Sequence, residues 1–328
     1  MDSTNPKGFV TPSSLGLLTD LYELTMAAAY LKHGITEDCT FEVFCRRLPP
    51  NRSFLITAGL EQAVEYLQGI RFSADQIEYL RQLPLFASVD DSFFRYLTGF
   101  EFRGDLWAMP EGTPFFPQEP ILRVKAPAPD AQILETYLLS ILSYQTMVAS
   151  KAARLALAAA GKPVIDFGTR RAHGPQAGLL AARACFIGGC LGTSNVLAGQ
   201  QWGIPVFGTM AHSWVMQFDS EEAAFESFRR IFPKHTVMLL DTYDTLQAAQ
   251  LVDSELEAVV VLIEQPLDLY EVILLERSHE FFDVVPQLGL ELPGAVRQRH
   301  GHVGFAGLLQ FDLFGRYHER GSNVLVFV

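Results

Sequence analysis

Val164-Ile165-Asp166-Phe167-Gly168-Thr169-Arg170-Arg171-Ala172-His173 is the stretch that decides the fold. A short apolar run stops at a glycine and a threonine, and a helical pattern over residues 176–183 follows, as when a strand hands over to a crossover helix. The cadence returns three times. Cys185-Phe186-Ile187 leads through Gly188-Gly189 to Gly192-Thr193 and a helical stretch over 194–201; Pro205-Val206-Phe207 ends in Gly208-Thr209; Val237 to Leu240 ends at Asp241-Thr242-Tyr243-Asp244. Successive strand-then-helix units predict a parallel α/β sheet or barrel.

Outward toward the N-terminus, residues 130–160 read as a long helical stretch broken near Ser143-Tyr144, with Gly161 and Pro163 as its stop. Residues 104–129, rich in Pro, Gly and aromatics, read as irregular β structure. Helices are expected over 60–68, 73–82 and 90–97, and strands over 40–46 and 54–57. The first helix opens with Asp20 as N-cap and Glu23 three residues on, and Gly34 closes it. The expected organisation is an N-terminal α/β domain with a linking helix (1–150), a partial α/β barrel carrying the active-site loops (151–250) and a divergent tail (251–328). In the tail, 259–263 and 324–328 are candidate strands that complete the sheet.

The chain has 328 residues, 49% hydrophobic and 19% charged, enough apolar surface to offset ordering entropy. Its net charge of −12 argues against nucleic acid or anionic membrane as a general partner, since both would be repelled over most of the surface. No apolar export segment opens the chain and no later run is long enough to span a bilayer, so the expectation is a soluble, cytoplasmic protein. Cys39, Cys45, Cys185 and Cys190 fit neither a zinc ribbon nor a redox CxxC spacing and read as free thiols.

Chemistry is expected at the loops after the strands, the face that carries it in α/β barrels. Gly-Thr pairs let backbone approach a ligand and offer N–H groups and a hydroxyl to phosphate oxygens, although each pair alone is ordinary turn chemistry. Arg170-Arg171 suits a carboxylate or phosphate through paired hydrogen bonds; it also fits a solvated loop. Phe167 could stack on a flat ring or simply fill core. His212, in Gly208-Thr209-Met210-Ala211-His212-Ser213, could act as base, ligand or nucleophile, or be structural, and His173 shares that ambiguity. Asp241 and Asp244 suit a magnesium-linked pyrophosphate or ribose hydroxyls, and equally suit helix capping. From the residues alone, this is an α/β enzyme for small anions, with phosphoryl or phosphoribosyl chemistry open.

These same segments resemble nicotinate phosphoribosyltransferases. Leu18-Thr19-Asp20-Leu21-Tyr22-Glu23-Leu24-Thr25-Met26 is similar to the family's N-terminal signature, 167–175 to its Phe-Gly-x-Arg-Arg-Ala segment, Thr193-Ser194-Asn195-Val196 to its phosphate-side loop and 208–213 to its histidine loop. Leu240 to Asp244 also matches, and the likeness runs in order over about residues 15–248. The resemblance implies an α/β sandwich beside an irregular, here incomplete, α/β barrel, in a homodimer whose active sites are completed across the subunits. It implies joining nicotinate to phosphoribosyl pyrophosphate for NAD salvage, coupled to ATP and Mg2+. In its terms the pyridine ring stacks between Phe167 and Tyr22 of the partner chain. Arg170, with Arg171, faces the carboxylate or phosphoribosyl oxygens; Thr169, Thr193, Ser194, Gly208, Thr209 and Ser213 line the substrate; His212 is transiently phosphorylated; and Asp241 is a candidate magnesium ligand. A nicotinamide or quinolinate enzyme is the neighbouring alternative.

Beyond about Leu251 the family's Arg-x-Asp-Ser-Gly-Asp, Ser-Asn-Asp and Gly-Val-Gly-Thr segments are absent, and residues 251–328 contain no Lys, Thr or Met. A truncated or frame-shifted, non-catalytic remnant of such an enzyme that keeps the front half is therefore a further alternative.

Overall fold

The computed structural model describes residues 8–233 and 237–252, and the backbone of strands at 258–264, 270–276, 309–311, 317–319 and 325–326. Residues 1–7 and, in the tail, 301–307 lie outside the described residues. The chain divides into two compact units, Met1–Ser150 and Lys151–Val328. Among the described residues, no helix is long and apolar enough to cross a membrane.

In the first unit, α1 (Leu21–Lys32) is followed by β1 (Asp38–Phe44), β2 (Leu55–Ile56), α2 (Leu60–Gly69), α3 (Ala74–Gln82) and α4 (Asp91–Thr98). Then come β3 (Asp105–Ala108), β4 (Pro114–Phe115), β5 (Pro120–Pro127), α5 (Ala128–Ile133) and α6 (Glu135–Ala158), which runs on into the second unit. The segment expected to be irregular contains the centre of an antiparallel sheet ordered β1-β5-β3, with β2 and β4 paired separately. Alternation along β5 buries Leu122, Val124 and Ala126, and α4 adds Phe93, Phe94 and Leu97 at helical spacing. Each of the Leu, Val and Phe side chains contributes roughly 1.5–3 kcal/mol when fully buried.

Two local expectations need correction. Asp20 is the N-cap residue of α1 but makes no side-chain cap bond. Instead the Thr136 hydroxyl lies 2.7 Å from both the Asp20 and the Glu23 carboxylates, which share its one hydrogen, and buried Glu23 also accepts from the Thr19 hydroxyl and the Thr136 amide. Tertiary partners have taken over the groups that a capping box would use. The long helical stretch breaks at Leu134, between α5 and α6, and not at Ser143-Tyr144. The helix runs on through Ser143-Tyr144, and polar residues just beyond them tie it into the core: Ser150 Oγ accepts from Ile56 N at 2.7 Å, and Gln145 Nε2 donates to Gln62 at 2.9 Å.

The second unit holds β6 (Ile165–Asp166), α7 (Pro175–Ile187), β7 (Gly192–Thr193), α8 (Val196–Trp202), α9 (His212–Val215), α10 (Glu221–Ile231) and α11 (Thr245–Val252). β6 and β7 are parallel, and Thr193 bridges in parallel to Val206. Met210 N–H then reaches Val237 O at 3.3 Å. Cys185-Phe186-Ile187 is the last turn of α7, not a strand. Gly189, at φ 104°, ends it while Cys190 N–H returns to Cys185 O, a left-handed helix terminus that a three-residue apolar run does not reveal. Gly192 lets the strands meet, because a Cβ there would lie 2.4 Å from Pro205 O.

The tail strands are β8 (Ala258–Glu264), β9 (Tyr270–Glu276), β10 (Leu309–Phe311), β11 (Tyr317–Glu319) and β12 (Leu325–Val326). β8, β9 and β12 form an antiparallel sheet ordered β12-β9-β8, and β10 pairs with β11. Two expected strands, 259–263 and the centre of 324–328, are thus present, but in a sheet separate from β6-β7. Among the described residues no closed barrel forms. All four cysteines are free thiols.

Candidate active site

In a parallel ladder every strand leaves from the same edge. The turns after β6, after β7 and after Val206 therefore share one end of the sheet. The first carries half-buried Phe167 and Thr169 and exposed Arg170 and Arg171, which form a short 3-10 turn over Thr169–Arg171. The second carries buried Thr193 and half-buried Ser194 and Asn195; the third carries exposed Gly208, half-buried Thr209, His212 at the start of α9 and exposed Ser213. No atom comes within 4 Å of a Cβ built on Gly208, so backbone is open to a ligand there.

His212 Nε2 lies 3.1 Å from Asp241 Oδ1, with the Asp241 side chain only 9% exposed and the histidine 36%. A carboxylate at this distance favours the tautomer with the hydrogen on Nε2 and the lone pair on Nδ1. Asp244, the neighbouring candidate, instead caps α11 by accepting from Gln247 N at 3.0 Å. Buried Glu221 has an Oε1 with no partner, and its carboxyl is pushed up by burial and then by the charges of Asp244 and Asp241. Asp241, the partner of His212, thus shares its surroundings with a second carboxyl. Among the described residues no three His, Cys, Asp or Glu side chains converge on a metal position.

Tyr22 belongs to the first unit, on α1, and is 48% exposed. Desolvation first, then the Glu135 hydrogen bond and the charges of Glu135 and Glu23, push its phenol up to about 12. It stays protonated at neutral pH and offers a neutral ring. Exposed His173 follows the 3-10 turn.

Two groups at this edge were not singled out from the sequence. Asp166 was read as strand interior, yet its buried carboxylate accepts from Gly168 N–H and from Thr193 Oγ1. Asn195 caps α8 through Ala198 N and donates to Thr169 Oγ1 at 3.2 Å. A lone acid in an apolar strand is the available signal for the first, since a buried charge must find partners.

Two family models cover most of the chain: the nicotinate phosphoribosyltransferase N-terminal domain matches residues 17–143, and the nicotinate phosphoribosyltransferase family matches residues 163–264. The chain belongs to the nicotinate phosphoribosyltransferase family. The family match continues through β8, beyond the point near residue 248 where the motif resemblance lapses. A nicotinate phosphoribosyltransferase of Mycobacterium tuberculosis is 52% identical over 231 residues, 70% of this chain and 49% of that one. One of Bacillus subtilis is 44% identical over 236 residues, 72% and 47% of the two chains. The chain spans about half the length of these relatives. The crystal structure of human nicotinic acid phosphoribosyltransferase superposes with a TM-score of 0.64 at 34% identity, covering 69% of this chain and 55% of that chain. That of a Pyrococcus furiosus nicotinate-nucleotide pyrophosphorylase gives 0.63 at 27% identity, over 78% and 59%.

Proposed function

We propose that this nicotinate phosphoribosyltransferase family member transfers phosphoribosyl from phosphoribosyl pyrophosphate to nicotinate, yielding nicotinate mononucleotide and pyrophosphate for NAD salvage. The observation that carries the reading is the His212–Asp241 pair on the same sheet edge as the Arg170-Arg171 turn, within a chain matched by both family models.

The pyridine carboxylate pairs with Arg170, with Arg171 beside it, because a guanidinium presents two parallel donors to a carboxylate. Phe167 stacks on the ring from one side and Tyr22 of a second copy from the other, in a homodimer. Thr169, Thr193, Ser194, Gly208, Thr209 and Ser213 supply hydroxyl and N–H donors to the sugar and phosphate oxygens. The ring nitrogen forms a bond to the anomeric carbon as the bond to pyrophosphate breaks, and the leaving oxygen keeps the electron pair. Orientation and charge stabilisation at that carbon do the catalytic work.

His212 Nδ1 bonds to the terminal phosphorus of ATP as the bridging P–O bond breaks and ADP leaves with the electron pair, Asp241 stabilising the imidazolium that forms; water then cleaves the P–N bond, phosphate leaves, and that hydrolysis drives product formation. Magnesium, when bound, neutralises pyrophosphate charge. The donor set fits it in a limited way: Asp241 and Asp244 lie close enough to Glu221 to raise its carboxyl, so a dication there relieves crowded negative charge. Among the described residues no three-ligand group forms, so Asp241 would hold the metal only together with substrate phosphate oxygens and water.

Purified protein given nicotinate, phosphoribosyl pyrophosphate, magnesium and ATP should form nicotinate mononucleotide, faster than the nicotinamide or quinolinate products from matched concentrations. No mononucleotide at any enzyme concentration overturns the reading.

A further inference from the structure

Asp166 occupies a costly position. It lies within β6 between the apolar Ile165 and Phe167, buried, with burial pushing its carboxyl up against the pull of the Thr193 hydroxyl and the Gly168 amide. An apolar residue would fill the same space without desolvating a charge. What the carboxylate contributes is a connection. Oδ1 accepts from Gly168 N–H at 2.9 Å, in the turn that leads to Arg170. Oδ2 accepts from Thr193 Oγ1 at 2.7 Å, in the turn of the neighbouring strand.

The connection closes on itself. Thr193 Oγ1 accepts from Asn195 N–H at 3.1 Å, and Asn195 Nδ2 donates to Thr169 Oγ1 at 3.2 Å, back in the first turn. Ser194 N–H adds a 2.8 Å bond to the Asp166 carbonyl. From the other side α7 seats Thr169, because a Cβ on Gly178 would lie 3.1 Å from Thr169 Cγ2. A short strand pair alone would leave these two turns free to shift.

We propose that Asp166 is a positioning residue: with Asn195, it clasps the turn bearing Arg170 to the turn bearing Ser194 and so fixes the spacing between the groups that receive the pyridine carboxylate and the phosphoribosyl oxygens. Its catalytic consequence rests on the nicotinate reading, whereas the clasp is a property of the chain without ligand.

Asp166→Asn isolates it. The amide retains an acceptor for Gly168 but turns a donor toward Thr193, whose own hydroxyl hydrogen then loses its acceptor in a buried place. Asn195→Ser keeps a helix cap and gives up the reach to Thr169, and it carries the test if Asp166→Asn does not fold. Hydrogen exchange on the full chain without ligand should speed up about tenfold or more in both 167–172 and 193–198, the loss expected for one hydrogen bond to a charged group, with α10 and α11 unchanged. Nicotinate KM should rise about tenfold for the same reason, with kcat near wild type; a merely structural role would lower the active fraction, and so kcat, at constant KM. Unchanged exchange in either turn, faster exchange throughout the second unit, or a kcat loss at constant KM each overturns the proposal. If wild-type protein makes no mononucleotide, the functional reading falls and the exchange measurement alone decides the clasp.

Discussion

Asp241→Asn should uncouple ATP from the reaction while leaving the pyridine site intact. His212 Nε2 and Asp241 Oδ1 are 3.1 Å apart and the carboxylate is nearly buried, so the bond is charge-assisted and little screened by water. A hydrogen bond to a charged group contributes about 1.5–3 kcal/mol, which corresponds to roughly 10- to 150-fold in rate when the interaction strengthens in the transition state. The substitution also inverts the ring: the new amide donates to Nε2, places the imidazole hydrogen on Nδ1 and removes the attacking lone pair. The loss should therefore sit at or beyond the upper end of that range. Single-turnover transfer from ATP labelled at the terminal phosphoryl, followed as acid-labile label on protein, reads this step directly, with His212→Ala as the zero. Labelling of Asp241→Asn at the wild-type rate would refute the pairing as the source of reactivity.

Three further outcomes follow from other parts of the molecule. Arg170→Ala should lower kcat/KM for nicotinate by roughly 10- to 100-fold, the loss of a charged hydrogen-bonded pair, and leave the residual rate with nicotinamide unchanged; equal losses on both substrates in steady-state assays would remove Arg170 from the carboxylate. Gly192→Ala must displace Pro205 O or Phe207, which lie 2.4 and 2.5 Å from the new Cβ. Overpacking of that kind costs about 1–3 kcal/mol, and a thermal melt matching wild type would show that the strands are not so closely apposed. Glu23 has its carboxyl raised by burial, so between the ordinary glutamate value and the raised one the native state binds more protons than the unfolded state. Stability should thus decline as pH rises through that interval, and Glu23→Gln should flatten the decline in denaturant titrations; an identical slope in the two proteins counts against the raised value.

What the sequence discloses follows the range of the forces involved. Strand ends at Asp166-Phe167, Thr193 and Val206 were readable because glycine and threonine punctuate short apolar runs, a local effect. Cys185-Phe186-Ile187 was misread because three apolar residues fit a buried helix turn as well as a strand, and only the left-handed Gly189 settles the choice. Ser143-Tyr144 resembled a break because polar residues usually face water, whereas nearby Gln145, Thr146 and Ser150 are buried and hydrogen-bonded. At the site, Arg170 and His212 could be named one by one. The pairings within the site could not: Asp241 is 29 residues from His212, Thr193 is 27 from Asp166, and Asn195 is 26 from Thr169. No periodicity couples positions so far apart. In the tail, the runs behind β8 and β12 are likewise legible as apolar stretches, whereas β9, which pairs with both, is not.

A crystal structure of the protein with nicotinate and phosphoribosyl pyrophosphate tests most directly whether the strand ends of the second unit make a single site. The expected result is the pyridine carboxylate hydrogen-bonded to Arg170, with the phosphate oxygens held by the turns at 193–195 and 208–213 and the pyrophosphate facing the His212–Asp241 pair. A pyridine bound away from the Arg170 turn, or Arg170 and His212 directed to opposite sides of the unit, would contradict it.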